Sequence, residues 1–297
     1  MKKEHDKKLT RRTFLKTAGV AAASLAVSGC NGISEEFLQS HFREMGPDEI
    51  NQTRERLEKQ YKKKYGRTFH LGTEPADPGI LFGYGLDLSR CIGCRRCVYA
   101  CVHENNQSRM PQIQWIRVLR FKNGSRNFEE SDHYYDAGMV PKEGYYTIPI
   151  QCQQCENPPC VKVCPTGATW KEPDGIVVVD YNWCIGCRYC MAACPYWARH
   201  FNFATPHVPA DKLNTNLHYL GNRPRMRGVV EKCTFCIQRT RKGRYPACVE
   251  VCPVGARKFG NLLDENSEIS MIIKTKRVFR LKADLNTQPK FYYFFSL

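Results

Sequence analysis

The sequence predicts an α+β chain with little continuous core: short helices and strands framing cysteine loops, hairpins inserted between them, and a helical arm in front. Three observations predict it. Sixteen of the 17 cysteines fall into four quartets between Cys91 and Cys252. The apolar runs between quartets are short and either β-branched or alternating, as strands are. One charged segment ahead of the quartets, "PDEINQTRERLEKQYKKK", carries helical punctuation.

The N-terminus reads as an address. Thr10-Arg11-Arg12-Thr13-Phe14-Leu15-Lys16 is a twin-arginine motif, followed by a weakly apolar run from Ala18 to Gly29 that is too short to span a bilayer. It resembles a twin-arginine export signal, the route for proteins that fold before crossing a membrane. That route suits thiols, because metal bound before export protects them from an oxidising compartment. Leu25-Ala26-Val27-Ser28-Gly29-Cys30 looks like a lipobox, which makes Cys30 the expected lipidation site and accounts for the odd thiol. The expectation is a periplasmic protein on the outer face of the cytoplasmic membrane, anchored through Cys30. No later stretch has 18 consecutive apolar residues, so no spanning helix is predicted.

The formal charge of +16 would fit an anionic partner such as nucleic acid. The leader (residues 1–29) holds seven Lys/Arg against Glu4 and Asp6, so about +11 remains without it. Four bound clusters of about −2 each would offset most of the rest. No nucleic-acid module is recognisable, and no nucleic-acid role is expected.

Residues 30–85 read as a cysteine-free N-terminal arm with a helix over 47–64: proline and acids open it, lysines close it, and Ile50, Leu57 and Tyr61 form a sparse stripe. The arm is expected to lie on a partner or on the main domain, or to act as a tether. Residues 86–260 carry the quartets. Within them "IQWIRVLRF" reads as a strand entering a hairpin at Asn123-Gly124, and "GIVVVDYNWC" as a second strand leading into the third quartet. Residues 261–297, ending "RVFRLKADLNTQPKFYYFFSL", are aromatic and basic and read as a docking tail, with a packed final strand as the plainer reading.

The chemistry lies in the quartets. Cys91, Cys94, Cys97, Cys101 and Cys184, Cys187, Cys190, Cys194 share the spacing C-x2-C-x2-C-x3-C. Cys152, Cys155, Cys160, Cys164 and Cys233, Cys236, Cys248, Cys252 are variants, and three quartets end in Cys-Pro. This resembles the bacterial ferredoxin run, whose first three cysteines bind one 4Fe-4S cubane while the fourth serves its neighbour. Three thiolates on one loop wrap a corner of a cubane, with peptide N–H groups near Gly93 and Gly186 free to face its sulfides. The fourth follows at i+4, about 6 Å along a helix, and so points to another centre. The proline after it has no N–H to leave unpaired. Zinc needs only two C-x2-C pairs and gives no reason for the third and fourth cysteines. Disulfides need no such regularity.

Separation along the chain predicts the pairing. The second and third quartets are about twenty residues apart and form one module; the first and fourth then pair around it. Cluster 1 takes Cys91, Cys94, Cys97 and Cys252. Cluster 2 takes Cys233, Cys236, Cys248 and Cys101. Cluster 3 takes Cys152, Cys155, Cys160 and Cys194, and cluster 4 takes Cys184, Cys187, Cys190 and Cys164.

The stretches "CIGCRRCVYAC", "CQQCENPPCVKVCPTGATW", "VDYNWCIGCRYCMAACPYWAR" and "EKCTFCIQRTRKGRYPACVEVCPVGARKFGNL" resemble the four-cluster electron-transfer subunits of the complex iron-sulfur molybdoenzymes: those of dimethyl-sulfoxide, polysulfide and tetrathionate reductases, and the NrfC and Dsr-O types. The resemblance runs from about Leu86 to Phe259. It implies two intertwined bacterial-ferredoxin-like modules, four 4Fe-4S clusters and the same I-with-IV and II-with-III pairing. It also implies a polytopic quinone-reactive membrane partner of the NrfD or Dsr-P kind, and a catalytic molybdopterin or haem/iron-sulfur subunit at the other end of a respiratory oxidoreductase complex. Trp197 departs from the family's usual glycine and is expected to shield a cluster, meet a partner or pack in the core. No ligand position carries the Asp or Trp of a 3Fe-4S centre.

The chain shows no nucleotide fingerprint, P-loop or nucleophile signature. The implied function is therefore electron transfer without catalysis of its own; a zinc-stapled binding protein and an iron-sulfur enzyme with its own substrate are the alternatives. His103, His200, His207 and His218 are candidate ligands or quinone-site donors, although histidines near clusters are more often hydrogen-bond partners. Arg95, Arg96 and Arg188, beside ligating cysteines, are expected to offset cluster charge.

Overall fold

A computed structural model describes residues 40–296. Arg11, Arg12 and Cys30 lie outside the described residues. In chain order the elements are α1 (Pro47–Tyr65), β1 (His70–Gly72), β2 (Phe82–Asp87), α2 (Arg96–Glu104), β3 (Arg117–Lys122), β4 (Tyr145–Ile150), α3 (Pro159–Lys162), β5 (Thr169–Lys171), β6 (Val177–Val179), α4 (Tyr189–Ala192), β7 (His200–Phe201), β8 (Asn216–His218), β9 (Val230–Glu231), α5 (Ile237–Thr240), α6 (Ala247–Glu250), β10 (Arg257–Asn261), α7 (Glu268–Thr275), β11 (Val278–Phe279) and β12 (Phe291–Phe294). Helices and short strands mix as an α+β chain should.

Strand pairing gives one four-stranded sheet, ordered β10-β2-β12-β11, and four two-stranded ones: β1-β8, β3-β4, β5-β6 and β7-β9. β5-β6 is the hairpin between the second and third quartets, with all three valines of β6 buried. β3 and β4 pair antiparallel from Arg117↔Ile150 to Lys122↔Tyr145. The chain does turn at Gly124 (φ +85), but residues 123–144 intervene before the return strand, so the hairpin carries a long insertion rather than a tight turn.

The arm is part of the core. Its helix α1 runs one residue past the predicted end and stops at Gly66 in the left-handed conformation (φ +67), as helix ends favour. Leu57 and Tyr61 pack into the main cluster with Phe69, Leu71 and Leu217, while Phe42 stacks on Tyr219 at 4.3 Å. This packing excludes a free tether for residues 41–85, since tertiary burial of an apolar face is what holds a helix with a charged exposed side. The boundary at residue 86 also moves, because β2, from Phe82, is an interior strand of the large sheet.

The C-terminal residues depart furthest from the docking reading. Phe291–Phe294 pairs parallel to β2 and antiparallel to β11, with all four side chains buried and Phe291 stacked on Tyr84 at 4.6 Å. Aromatics that look like a docking surface in sequence fill a sheet covered on both faces. The segment before them clasps the quartet loops: Lys282 Nζ donates to the Pro195 carbonyl at 2.8 Å, and Tyr196 OH and Thr287 Oγ1 lie 2.6 Å apart.

Candidate metal centres

Each quartet is a loop that runs into a short helix. Cys97 and Cys101 sit on α2, Cys160 on α3, Cys190 on α4 and Cys248 on α6. In the first and third loops the same two positions are left-handed: Gly93 (φ +76) with Arg95 (φ +58), and Gly186 (φ +72) with Arg188 (φ +64). A non-glycine residue adopts that region at a cost of about 1–2 kcal/mol, here sustained twice. Residues of this kind turn peptide N–H groups to the concave side of a loop, where an anionic group would sit.

Three partly open hollows of nearly equal size are each lined by four cysteines: one of about 350 Å³, open solvent included, by Cys91, Cys94, Cys97 and Cys252, one of about 340 Å³ by Cys152, Cys155, Cys160 and Cys194, and one of about 340 Å³ by Cys164, Cys184, Cys187 and Cys190. The remaining four, Cys101, Cys233, Cys236 and Cys248, are all buried and close enough for their charges to interact. The Asn105 amide reaches two of them, Cys101 Sγ at 3.6 Å and Cys236 Sγ at 3.5 Å, and Gln107 Nε2 donates to Cys101 Sγ at 3.1 Å. Each grouping joins three cysteines of one quartet to one of another.

The cages form a series. Arg257 Nη2 donates to Cys97 Sγ at 3.2 Å in cage 1, and Tyr84 OH, 2.9 Å from Arg257 Nη1, lies 3.3 Å from Cys248 Sγ in cage 2. Cages 2 and 3 adjoin through Cys233 and Cys152, whose charges interact; Gln154 Nε2, beside the second-quartet loop, donates to the Cys233 carbonyl at 2.8 Å. Arg199 lines both cage 3 and cage 4 and donates to Cys160 Sγ at 3.0 Å. The order is therefore 1-2-3-4. Cage 2 is wholly buried, whereas cage 4 has an exposed cysteine, Cys187.

One observation tests what these cages fit. Buried donors lack partners: Arg199 Nε and Nη1, in the wall shared by cages 3 and 4, and Thr234 Oγ1, beside Cys233, where native interiors leave few such atoms. An iron-sulfur cluster, with acceptor sulfides and anionic charge, would supply what these donors lack.

Comparison with known proteins gives the same answer. Residues 90–168 match a 4Fe-4S dicluster domain, and residues 144–225 and 222–262 match a second 4Fe-4S dicluster domain model. The chain is 35% identical to the Hdr-like menaquinol oxidoreductase iron-sulfur subunit 1 of Archaeoglobus fulgidus, over 96% of this chain and 97% of that one. It is 45% identical to the putative iron-sulfur subunit of the dimethyl sulfoxide reductase of Halobacterium salinarum, over 71% and 78%. It is 38% identical to the menaquinone reductase iron-sulfur cluster-binding subunit of Nitratidesulfovibrio vulgaris, over 72% and 88%. The chain belongs to the 4Fe-4S dicluster family of iron-sulfur electron-transfer subunits.

In this electron-transfer subunit the bound clusters supply one-electron storage at fixed positions; the protein's part is to hold and tune them. Burial and neighbouring thiolates push the metal-free thiols of Cys155 and Cys233 up to about 12 and that of Cys97 to about 11. Cys164 is the contrary case: burial would raise it, but N–H groups at Thr169, Thr166 and Ala168 outweigh burial and lower it. Loading iron must therefore displace protons from the buried thiols, which makes assembly less favourable as pH falls.

The predicted arginines lie at the rims. Arg96 and Arg188 are exposed, Arg188 lies over the Phe201 ring at 5.5 Å, and Arg95 lies over Tyr135 at 5.7 Å. The interior positions belong to Arg199 and Arg257, which the sequence reading missed although a signal was present. "CPYWAR" and "CPVGAR" place an arginine five residues after a Cys-Pro cysteine, and "CPTGAT" places Thr169 there, the residue to which Arg199 donates at 2.9 Å.

No candidate histidine lines a cage. His103 is exposed, and His207 is tied through its backbone to Ser108 and Arg109. Burial lowers His200 to about 4. Burial, then the charge of Arg241, lowers His218 to about 3, with Nε2 3.1 Å from the Glu74 carbonyl and Nδ1 accepting from Leu220 N at 3.1 Å. Trp197 is not packed in the core. It is two-thirds exposed and lines a cleft of about 850 Å³ with Arg117, whose guanidinium lies 5.5 Å from its ring.

Proposed function

We propose that this subunit carries four 4Fe-4S clusters in two intertwined ferredoxin-like modules. The ligands are Cys91, Cys94, Cys97 and Cys252; Cys233, Cys236, Cys248 and Cys101; Cys152, Cys155, Cys160 and Cys194; and Cys184, Cys187, Cys190 and Cys164. It conducts electrons along that series between a polytopic quinone-reactive membrane subunit and a catalytic molybdopterin or haem/iron-sulfur subunit of a respiratory complex. The observation that carries the reading is the linear order of four cysteine cages, with cage 2 buried inside, cage 1 partly covered at one end and cage 4 open at Cys187 at the other. The nearly full-length match to a subunit named for menaquinol oxidation supports the quinone side, since the other two relatives align over about 70% of the chain.

The end at cluster 4 is ringed by Ile185, Tyr189 and Phe203, all more than 60% exposed, a surface suited to an apolar partner. The end at cluster 1 carries Arg90 and Arg96. Export by the twin-arginine route, with Cys30 lipidated, places the complex on the outer face of the cytoplasmic membrane.

The test is iron content and EPR of the anaerobically purified chain, with about sixteen iron per polypeptide and broad absorption near 400 nm expected. Cys101→Ser should perturb the cluster of the fourth quartet first; loss of the first-quartet signal instead would overturn the pairing. Arg11→Lys with Arg12→Lys should keep the protein on the cytoplasmic side, and unchanged export would remove that part of the proposal.

A further inference from the structure

Most interior cations in the described part of this chain have a carboxylate. Arg223 meets Asp180 at 3.0 Å, Arg225 meets Glu231 at 2.6 Å, and Arg241 meets Glu172 and Asp174 at 3.0 and 2.9 Å. Arg257, Lys232 and Arg199 do not. They are 3, 1 and 4% exposed, and none has an ion-pair partner among the described residues. An unpaired interior charge is costly unless an opposite charge sits nearby.

Their positions follow the cage series. Arg257 stands between cages 1 and 2, bonded to Cys97 Sγ and, through Tyr84, next to Cys248. Lys232 Nζ donates to the carbonyls of Cys233 and Val177, the first at 2.6 Å, where cages 2 and 3 adjoin; Val177 itself lines cage 3. Arg199 is a wall common to cages 3 and 4. Three gaps hold three cations without carboxylates. Hydrogen bonding does not explain the chemistry of all three, since Arg199 Nε and Nη1 are buried and bond to nothing described.

We propose that Arg257, Lys232 and Arg199 are positioning charges that level the wire, each stabilising added electrons on the two clusters that flank it. The proposal rests on the four-cluster reading. Reducing a cluster adds one negative charge, and in a low-dielectric interior that charge opposes reduction of the next cluster. A fixed cation in the gap offsets the charge on either side, raises both potentials and weakens the repulsion between neighbours. Electrons can then occupy adjacent sites without an energy step at each hop. No bond forms or breaks, and no proton need move.

The experiment is an EPR-monitored redox titration of the intact, iron-loaded chain and of Arg257→Gln, Lys232→Met and Arg199→Gln. Each substitution should lower two of the four midpoint potentials and leave the other two in place. The affected pairs should overlap in order: Arg257 and Lys232 share one cluster, Lys232 and Arg199 share another, and Arg257 and Arg199 share none. Unmoved potentials in loaded variants, uniform shifts of all four, or a cluster common to Arg257 and Arg199 would overturn the proposal. Arg199→Lys keeps the charge and loses the guanidinium fork, so it should restore potentials close to wild type. If Arg199→Lys shifts them as far as Arg199→Gln, or also loses iron, the arginine is a structural hydrogen-bond donor and the proposal fails. Wild-type iron well short of sixteen would count against the four-cluster reading instead, a separate result.

Discussion

"CIGCRRC" at Cys91–Cys97 and "CIGCRYC" at Cys184–Cys190 differ in one residue and share their left-handed positions, yet one loop is covered and the other open. Over the first, Tyr135 OH donates to the Gly93 carbonyl at 2.6 Å and Thr147 Oγ1 donates to the Cys91 carbonyl at 3.1 Å, so the β3-β4 hairpin and its insertion form a lid. Under the second lies the Gly228 backbone, and outside it Ile185, Cys187 and Tyr189 face solvent. Seven residues are enough to shape a ligand loop. Access to the centre is set by residues tens of positions away, and so the same motif can serve a protected site and an exposed one.

The largest contrast should come from the two glycines. A Cβ on Gly186 would lie 2.3 Å from the Gly228 carbonyl oxygen, a backbone atom that cannot swing aside, whereas a Cβ on Gly93 would meet the Thr147 methyl at 2.7 Å, and a side chain can turn. Both alanines also bear a left-handed backbone at about 1 kcal/mol. If the chain carries the four clusters proposed above, Gly186→Ala is expected to lose the one at Cys187 and about a quarter of the iron, while Gly93→Ala keeps its iron at lower stability; equal retention of iron would break the contrast. Next in size is chemical access. Mild ferricyanide should destroy the cluster at Cys187 before the one at Cys94, read as the first EPR signal lost. Simultaneous loss would mean that the difference in cover does not matter.

Much of the centre was legible beforehand. Spacing, the shift from x2 to x3 and the short link from Cys164 to Cys184 are local facts, and they single out the cysteines that line the cages. What stays open in the sequence is non-local. The aromatic end of the chain allows a docking surface or a packed final strand, and it is the partner strand β2 that makes Phe291 and Tyr293 interior. The arm's stripe of Ile50, Leu57 and Tyr61 allows packing on the main domain, packing on a partner or a tether, and it is Phe69 and Leu217, arriving from elsewhere, that decide for the main core. Arg199 and Arg257 were visible as a repeat, "CP-x-x-A-R", but their value lies in what the fold brings to either side of them.

Two buried histidines extend the contrast to pH. His218 has both ring nitrogens engaged, whereas His200 Nε2 is buried without a partner, and burial depresses both, to about 3 and about 4. Unfolded, each would take a proton below about 6.5. The folded chain refuses it, so the stability present above pH 6.5 falls as pH drops toward these lower values, by up to about 1.4 kcal/mol per unit for each group. His200→Gln and His218→Gln should each flatten the decline in melting temperature between pH 7 and 5. If neither variant changes that slope, these rings do not remain neutral in the fold.

The smallest effect should come from the lid itself. Tyr135→Phe removes the hydroxyl that donates to the Gly93 carbonyl and keeps the ring between Arg95 and Arg120, whose guanidinium lies 4.5 Å from its centroid. One neutral hydrogen bond contributes about 1 kcal/mol, so the melting temperature should fall only slightly. The informative readout is different: with the carbonyl released, cluster 1 should become more sensitive to ferricyanide and approach the behaviour of cluster 4. If the sensitivity of cluster 1 stays at the wild-type level, cover is supplied by the hairpin as a whole and not by this contact. The two loops would then differ through an insertion of residues 123–144, which no change within "CIGCRRC" could reproduce.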